Sequence, residues 1–437
     1  MAREYKDSGI EWIGQIPKEW EVIPLKWVIR APLQYGANET GLLYKGDLPR
    51  YVRITDIINN NLREDIQKQS LTEEQAEGYI LEDKDILFAR SGATVGKAFI
   101  YKNKYGRCAY AGYLIRAQLS SNYCPEFVYY YTQSHAYEEW KKQIFIQATI
   151  QNIGADRYSM LEISFPSFSE QQKIVDYLDK VCGEVDEMVA LQETMIEELK
   201  AYKQSVITEA VTKGLNPSAP MRNSGIDWIG EIPEQWDTGK TLYVLSMPIT
   251  DGPHTTPDLF DDGVPFISAD AVSDGYINFD NKRGFVSKEF YDECCKKYIP
   301  QLYDVYMIKS GASTGKTAIV ETQETFTIWS PLAVFRANPE VMTPYYLLYM
   351  LRSDGYQKQV ETFWSYGTQQ NIGMRTLEKL IVCIPPLDEQ HAIASYLDTK
   401  CSEIDSLIAL KQAKIEELKE YKKSVIYEYV TGKKEVI

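Results

Sequence analysis

Histidine is nearly absent from this chain: His135, His254 and His391 are the only three in 437 residues, and they stand far apart. That scarcity removes the Ser-His-Asp logic of hydrolases, which needs an imidazole beside a nucleophile. The seven cysteines include no C-x-x-C pair and their number is odd, so a zinc site lacks its ligand spacing and buried, reduced thiols are expected. No uninterrupted apolar run approaches membrane-spanning length, and residues 1–21 carry charges throughout, unlike a signal peptide. A cytoplasmic protein is expected. Positive charge is also in deficit. The formal net charge is −15, which argues against indiscriminate nucleic-acid binding, because neutralising phosphates takes clustered Lys and Arg.

The deficit is uneven. No acid occurs between Asp85 and Glu126, and that interval holds Arg90, Lys97, Lys102, Lys104, Arg107 and Arg116 among Tyr101, Tyr105, Tyr110 and Tyr113. A basic, tyrosine-rich strip on an acidic protein is either an anion-binding face or a sheet edge protected by lysines.

What is abundant is repetition. SGIEWIGQIPKEW (8–20) returns as SGIDWIGEIPEQW (224–236), 216 residues later. DILFARSGATVGK (85–97) returns as DVYMIKSGASTGK (304–316), and TIQNIG (149–154) as TQQNIG (368–373), both 219 residues later. EQQKIVDYLD (170–179) and EELKAYKQSVI (197–207) recur at the same shift as EQHAIASYLD (389–398) and EELKEYKKSVI (416–426). The period is far longer than a solenoid unit, so the chain is a duplicated half. Most of 21–84 and 237–303 has no recognisable counterpart, which suggests one job done twice on two targets.

Each half mixes element types. ILFA and AFIY flank SGATVG as strand, turn and strand; LEISFPSF and LEKLIVCIPPL read as strands ending at proline. EFVYYYTQSHAYEEWKKQ and PYYLLYMLRSDGYQKQV read as single helices with aromatic faces. Ile174, Leu178, Val181, Val185, Met188, Met195, Leu199, Tyr202 and Val206 follow steps of four and three, and the pattern repeats through Ile393, Leu397, Ile404, Leu407, Leu418, Tyr421 and Val425. Such a seam predicts a helix packed lengthwise on another. About 40 residues at 1.5 Å each gives a rod on the order of 60 Å. The predicted architecture is α/β (mixed α+β): two domains in tandem repeat, held apart by two long coiled-coil helices packed against each other. Predicted boundaries are 1–168, a spacer helix over 169–215, 216–386, and a second spacer helix over 387–437.

KSGASTGKT (309–317) invites an ATPase reading, but a phosphate loop needs four residues between its glycines and here there are three. The counterpart RSGATVGKA also has Ala98 where a magnesium site needs a hydroxyl. Ile384-Pro-Pro-Leu387 lacks the polar and aromatic neighbours of the Pro-Pro motif of amino-group methyltransferases, and no glycine-rich cofactor loop precedes it. DNA recognition fits better. Gln151-Asn152 and Gln370-Asn371 present amides of the kind that bond adenine, or else turns capping their own backbone. Arg90 and Lys309 precede Ser91-Gly92 and Ser310-Gly311, while Lys97 and Lys316 follow; small turn residues would let backbone N–H groups approach a phosphate. With Lys102, Lys104 and Arg107 these form the candidate DNA-binding set. The standing alternatives are a coiled-coil scaffold with protein-binding α/β domains and an autonomous P-loop ATPase.

Together the SGIEWIG/SGIDWIG and IPKEW/IPEQW segments, the SGATVGK/SGASTGK turns, the QNIG repeats and the EQ…YLD…EELK…YK…SVI helices resemble the specificity subunit of type I restriction–modification systems, over essentially the whole chain. The resemblance implies two target-recognition domains, each reading half of a split double-stranded DNA site, with the helices as an antiparallel spacer in a pseudo-twofold arrangement. It further implies no catalysis and no cofactor in this chain. Methyltransferase subunits, two of them, would dock on the helices and use S-adenosylmethionine. A restriction and translocase subunit would use ATP and Mg.

Overall fold

A computed structural model describes residues 3–58, 60–92, 94–146, 152–366 and 370–436. The chain divides into two compact units, Met1–Glu193 with Ala413–Ile437, and Thr194–Gln412. Each long helix, Phe168–Lys213 and Leu387–Val430, therefore contributes its first half to one unit and its second half to the other.

In unit 1 an antiparallel sheet runs in the order Ala98–Ile100, Ile86–Ala89, Leu114–Ala117, Gln34–Tyr35. A second sheet is built on Arg50–Val52, paired in parallel with Cys108–Tyr110. Unit 2 repeats the plan with Thr317–Ile319, Val305–Ile308, Leu332–Phe335 and Thr250–Asp251, and adds Gly275–Tyr276 at one edge. The central strands ILFA and VYMI are buried along their whole length, as expected of strands covered on both faces. Where one aromatic helix was predicted in each half there are two: Pro125–Tyr131 with His135–Ile146, and Pro344–Arg352 with Asp354–Phe363. The breaks fall at Ser134 and Ser353, both fully buried, whose hydroxyls donate to Tyr131 O and Met350 O. A short polar side chain that bonds its own backbone offers the chain an alternative to continuing the helix.

The repeated motifs mark where domain meets helix. Gln171 and Gln390, the glutamines of the two EQ motifs, are buried. Their Oε1 atoms accept from Cys124 N at 2.8 Å and Thr343 N at 2.7 Å, at the starts of the aromatic helices. Their Nε2 groups donate to Pro166 O and Pro385 O. The aspartates of the YLD motifs accept from tyrosines: Tyr130 to Asp179 at 2.5 Å and Tyr349 to Asp398 at 2.7 Å. The SGIxWIG segments seat on helix ends. Trp20 is buried beside Gly432, and Trp236 is buried beside Gly214 and donates to Glu389 at 2.8 Å.

The antiparallel helix pairing holds within each unit. Lys422 bonds Asp186 at 2.6 Å in unit 1, and Lys203 bonds Asp405 at 2.9 Å in unit 2, at positions related by the 219-residue shift. The predicted seam is right at Ile174, Leu178, Val185, Ile393, Leu397 and Ile404, which are buried. It is wrong at Met188, Tyr202, Leu407 and Tyr421, which are exposed, while Ile196 and Ile415 are buried instead. A straight helix drifts against a strict seven-residue repeat, so one uninterrupted register does not follow one face over 40 residues. All seven cysteines are free thiols, six of them buried, and burial pushes Cys383 up to about 12.

Candidate nucleic-acid interface

The Ser-Gly segments are the turns of two matched hairpins. Ala89 N bonds Lys97 O and Gly96 N bonds Ala89 O; Ile308 N bonds Lys316 O and Gly315 N bonds Ile308 O, all at 2.8–2.9 Å. A strand follows each turn, so Gly315-Lys316-Thr317 does not open a helix as a phosphate loop must. The turn glycines take positive φ for different reasons. A Cβ on Gly96 would lie 2.3 Å from Lys141 Cδ, and one on Gly315 2.3 Å from Gln357 Oε1, so these two admit a neighbouring helix. Gly92 and Gly311 face open space and answer only to backbone conformation. The N–H groups of Val95, Lys97, Thr314 and Lys316 bond back into the turn, so they form no cradle for a phosphate and charge is left to the lysines.

The Gln-Asn segments come to the same place. Ser91 bridges Asn152 and Ser310 bridges Asn371 as antiparallel strand pairs. Ile153 N bonds Arg90 O at 2.8 Å, Ile372 N bonds Lys309 O at 2.9 Å, and Gly311 N bonds Gln370 O at 3.0 Å. Ile153 and Ile372 are buried and anchor the junction, while Asn152 and Asn371 are exposed on it and Gln370 is half-buried. Gln151 lies outside the described residues. Two motifs whose bridged residues lie 61 apart in sequence are thus one backbone junction in each unit.

The cations at the head of each turn are held, not presented. Tyr35 and Asp251 occupy matching positions in the two edge strands, paired with Ile115 and Ala333. The Arg90 guanidinium sits 4.8 Å above the Tyr35 ring. Lys309 is only 9% exposed, with Nζ 3.2 Å from Asp251 Oδ2. The fully buried Asp251 also pairs with Lys297, and with His254 at 3.2 Å. Arg107 is clamped by Glu73 through two contacts of 2.5 and 2.7 Å, and Lys104 lies 5.0 Å over the Tyr105 ring. Arg116 donates to Ile80 O and belongs to the framework. Lys97, Lys102 and Lys316 are exposed and have no ion pair among the described residues. Sequence reasoning missed Tyr35 and Asp251, because they lie in the part of the repeat that no longer aligns. It also passed over Trp27 and Tyr243, 71% and 64% exposed seven residues beyond Trp20 and Trp236, each beneath a lysine. The 216-residue shift pairs them. Among the described residues no group of three or more His, Cys, Asp or Glu side chains could hold a metal ion, and no helix is long and apolar enough to cross a membrane.

The chain thus carries two copies of one domain fold, alike in hairpin and bridge and different in the segments around them. It belongs to the family described as the type I restriction modification DNA specificity domain, which matches residues 17–201 and 252–420. It is 26% identical to the putative type I restriction enzyme MjaX specificity subunit of Methanocaldococcus jannaschii, over 99% of this chain and 98% of that one. It is 21% identical to the MjaVIII specificity subunit of the same organism, over 98% and 96%. A solved chain from work on assembly and conformational transition of the type I R-M system shares the fold, with a TM-score of 0.69 at 18% identity over 95% of this chain and 98% of that one.

Proposed function

We propose that each unit reads one half of a divided double-stranded DNA site through the end of its sheet that carries the hairpin, and that the chain itself does no chemistry. The observation that carries this reading is the junction repeated in both units: an exposed turn lysine (Lys97, Lys316), a Ser–Asn strand bridge, and an exposed asparagine (Asn152, Asn371). Lysines of this kind position a phosphate backbone, and amides can bond adenine edges. Because the junction is common to both units, it serves as frame and phosphate contact, and the divergent segments around it choose the sequence. Lys102 and Lys104 add charge in unit 1 only. Lys309 and Arg107 fall outside the contacting set, since Asp251 and Glu73 hold their charges.

A net charge of −15 fits a division of labour in which other subunits supply most of the affinity for DNA. Methyltransferase subunits with S-adenosylmethionine, and a restriction subunit with ATP and Mg, are the partners this reading requires, in the cytoplasm. The long helices support it: Met188, Leu191 and Tyr421 in unit 1, and Leu407, Leu410 and Tyr202 in unit 2, stay exposed at repeat-equivalent positions, which suits one kind of partner bound twice.

Exchanging residues 1–168 for the corresponding domain of a relative, then mapping the methylated sequence made by the assembled complex, tests the reading. One half-site should change. A change in both, or in neither, overturns it.

A further inference from the structure

The junction leaves part of the second turn unused. Thr317 has Ala98 as its counterpart, so whatever its hydroxyl does belongs to unit 2 alone. Thr317 lies on the wall of a cleft of about 410 Å³ beside the second hairpin, lined also by Lys316, Arg352, Asp274, Gln204 and Gln357. Its hydroxyl is buried and has no hydrogen-bond partner among the described residues. A buried hydroxyl left unmatched is costly, and a turn about the Thr317 Cα–Cβ bond toward the cleft would let a ligand oxygen answer it.

The rest of the cleft is built around cations. Lys203 bonds Asp274 at 2.6 Å and Asp405 at 2.9 Å, and Arg352 pairs with Asp274. Two carboxylates offset two cations, and Lys316 on the rim adds one positive charge that nothing offsets among the described residues. Burial pushes the Asp274 carboxyl up, but Arg352 and Lys203 outweigh that and hold it below the usual carboxylate range, so its charge stays committed to them. The guanidinium has a fitted place. Gly275 takes φ +93°, and a Cβ there would lie 2.8 Å from Arg352 Nη1. The Gln357 amide is fixed by bonds to Gly315 O at 3.0 Å and Leu351 O at 2.6 Å. In unit 1 the matching positions are Ala98, Gln133 and Glu138, which remove the hydroxyl and the guanidinium and add an acid.

We infer that this cleft is a phosphate-binding site with no counterpart in unit 1. A tetrahedral oxyanion meets the surplus charge of Lys316, the Arg352 guanidinium and the Thr317 hydroxyl with three acceptor oxygens. The phosphate comes either from a free nucleotide or from the DNA backbone. The site goes beyond the DNA reading above and does not depend on it, because free phosphate is measured without DNA.

The test titrates inorganic phosphate, and separately a 5′-mononucleotide, into the full chain by phosphorus NMR, with Thr317→Val and Arg352→Gln as variants. Valine keeps the volume and strand preference of threonine, so that variant isolates the hydroxyl if its thermal melt is no lower than that of wild type. Saturable binding weakened roughly tenfold or more by each variant supports the site, as loss of a hydrogen bond to a charged group would give. A mononucleotide that binds more tightly than phosphate, with duplex binding of Thr317→Val unchanged, names a free nucleotide as the source. Competition between phosphate and duplex, with a salt slope lowered by about one in Arg352→Gln, names the backbone. No saturable phosphate binding together with an unchanged salt slope in both variants overturns the site, as does phosphate binding that neither variant weakens. Failure of the domain exchange with phosphate binding intact would sink the DNA reading and leave the cleft standing.

Discussion

The two turns are headed by cations in the same place, held by different chemistry. In unit 1 Arg90 lies over the Tyr35 ring; in unit 2 Lys309 pairs with the buried Asp251. Strand register makes Tyr35 and Asp251 equivalent. Cation and partner have changed together, a planar guanidinium with a ring and a point-charge ammonium with a carboxylate. The position is therefore a clamp on the turn, and a free charge for a ligand is not what both units keep. The two clamps should fail unequally. Asp251→Ala strands Lys309 in the interior and should cost unit 2 about 3 kcal/mol or more. Tyr35→Ala leaves a half-buried guanidinium that water can reach, so the loss should be about 1–2 kcal/mol. Urea unfolding of both variants checks the order, and equal losses would break the comparison.

A second comparison lies on the long helices. Lys203 and Lys422 are repeat equivalents, but the Lys203 side chain is 10% exposed and shared by two carboxylates, while Lys422 is 28% exposed and among the described residues pairs with Asp186 alone. Lys203→Met should cost about 2 kcal/mol and Lys422→Met under about 1 kcal/mol, since the better solvated pair is more easily replaced by water. The pH dependence carries the same contrast. Burial pulls Lys203 down, but its bonds to Asp274 and Asp405 outweigh that and raise it. A raised folded value means that its stabilisation is whole below the unfolded lysine value near ~10.4 and is lost as pH rises through the folded one. Asp274 is shifted downward, so its stabilisation is present above the ordinary carboxylate value near ~3.9 and is lost as pH falls through the depressed one. The contribution of this ion-pair cluster should thus be flat between these limits, and Lys203→Met should remove the share of its own ion pairs in the alkaline fall. Unfolding free energies measured across pH would show whether that contribution disappears.

Much of this organisation was legible because the chain states it twice. The duplication, the hairpins, the proline-ended strands and the long helices all follow from matched strings with hydrophobic periodicity. The joining of Ser91 to Asn152 was not legible, since a strand bridge between residues 61 apart leaves no mark in either segment. Nor was the neutralisation of Lys309, because its partner Asp251 lies where the halves no longer align. The roles of Gln171 and Asp179 were hidden for another reason. They read as helix surface, and only the seating of Cys124 N and the Tyr130 hydroxyl on that helix shows them as attachment points. The seam erred at Met188 and Leu407 because a seven-residue rule was carried past the length over which a straight helix keeps one face inward.

The smaller predicted effects concern places where the units agree. Tyr130→Phe and Tyr349→Phe each remove one hydrogen bond to an exposed carboxylate, and each should cost about 1–1.5 kcal/mol in thermal or urea unfolding. A large inequality would mean that one domain is held to its helix by other means.

Smallest of all should be the turn lysines. Lys97→Ala and Lys316→Ala should each weaken duplex binding by the assembled complex about fivefold near physiological salt and lower the salt slope by about one, as for one phosphate contact apiece. Neither side chain makes an ion pair among the described residues, so neither change should alter unfolding by more than about 0.5 kcal/mol. Matched slopes would mean that the duplicated hairpins do the same work on two half-sites. A slope that falls only for Lys316→Ala would shift the phosphate contact to the unit with the Thr317 cleft and leave the first hairpin as framework.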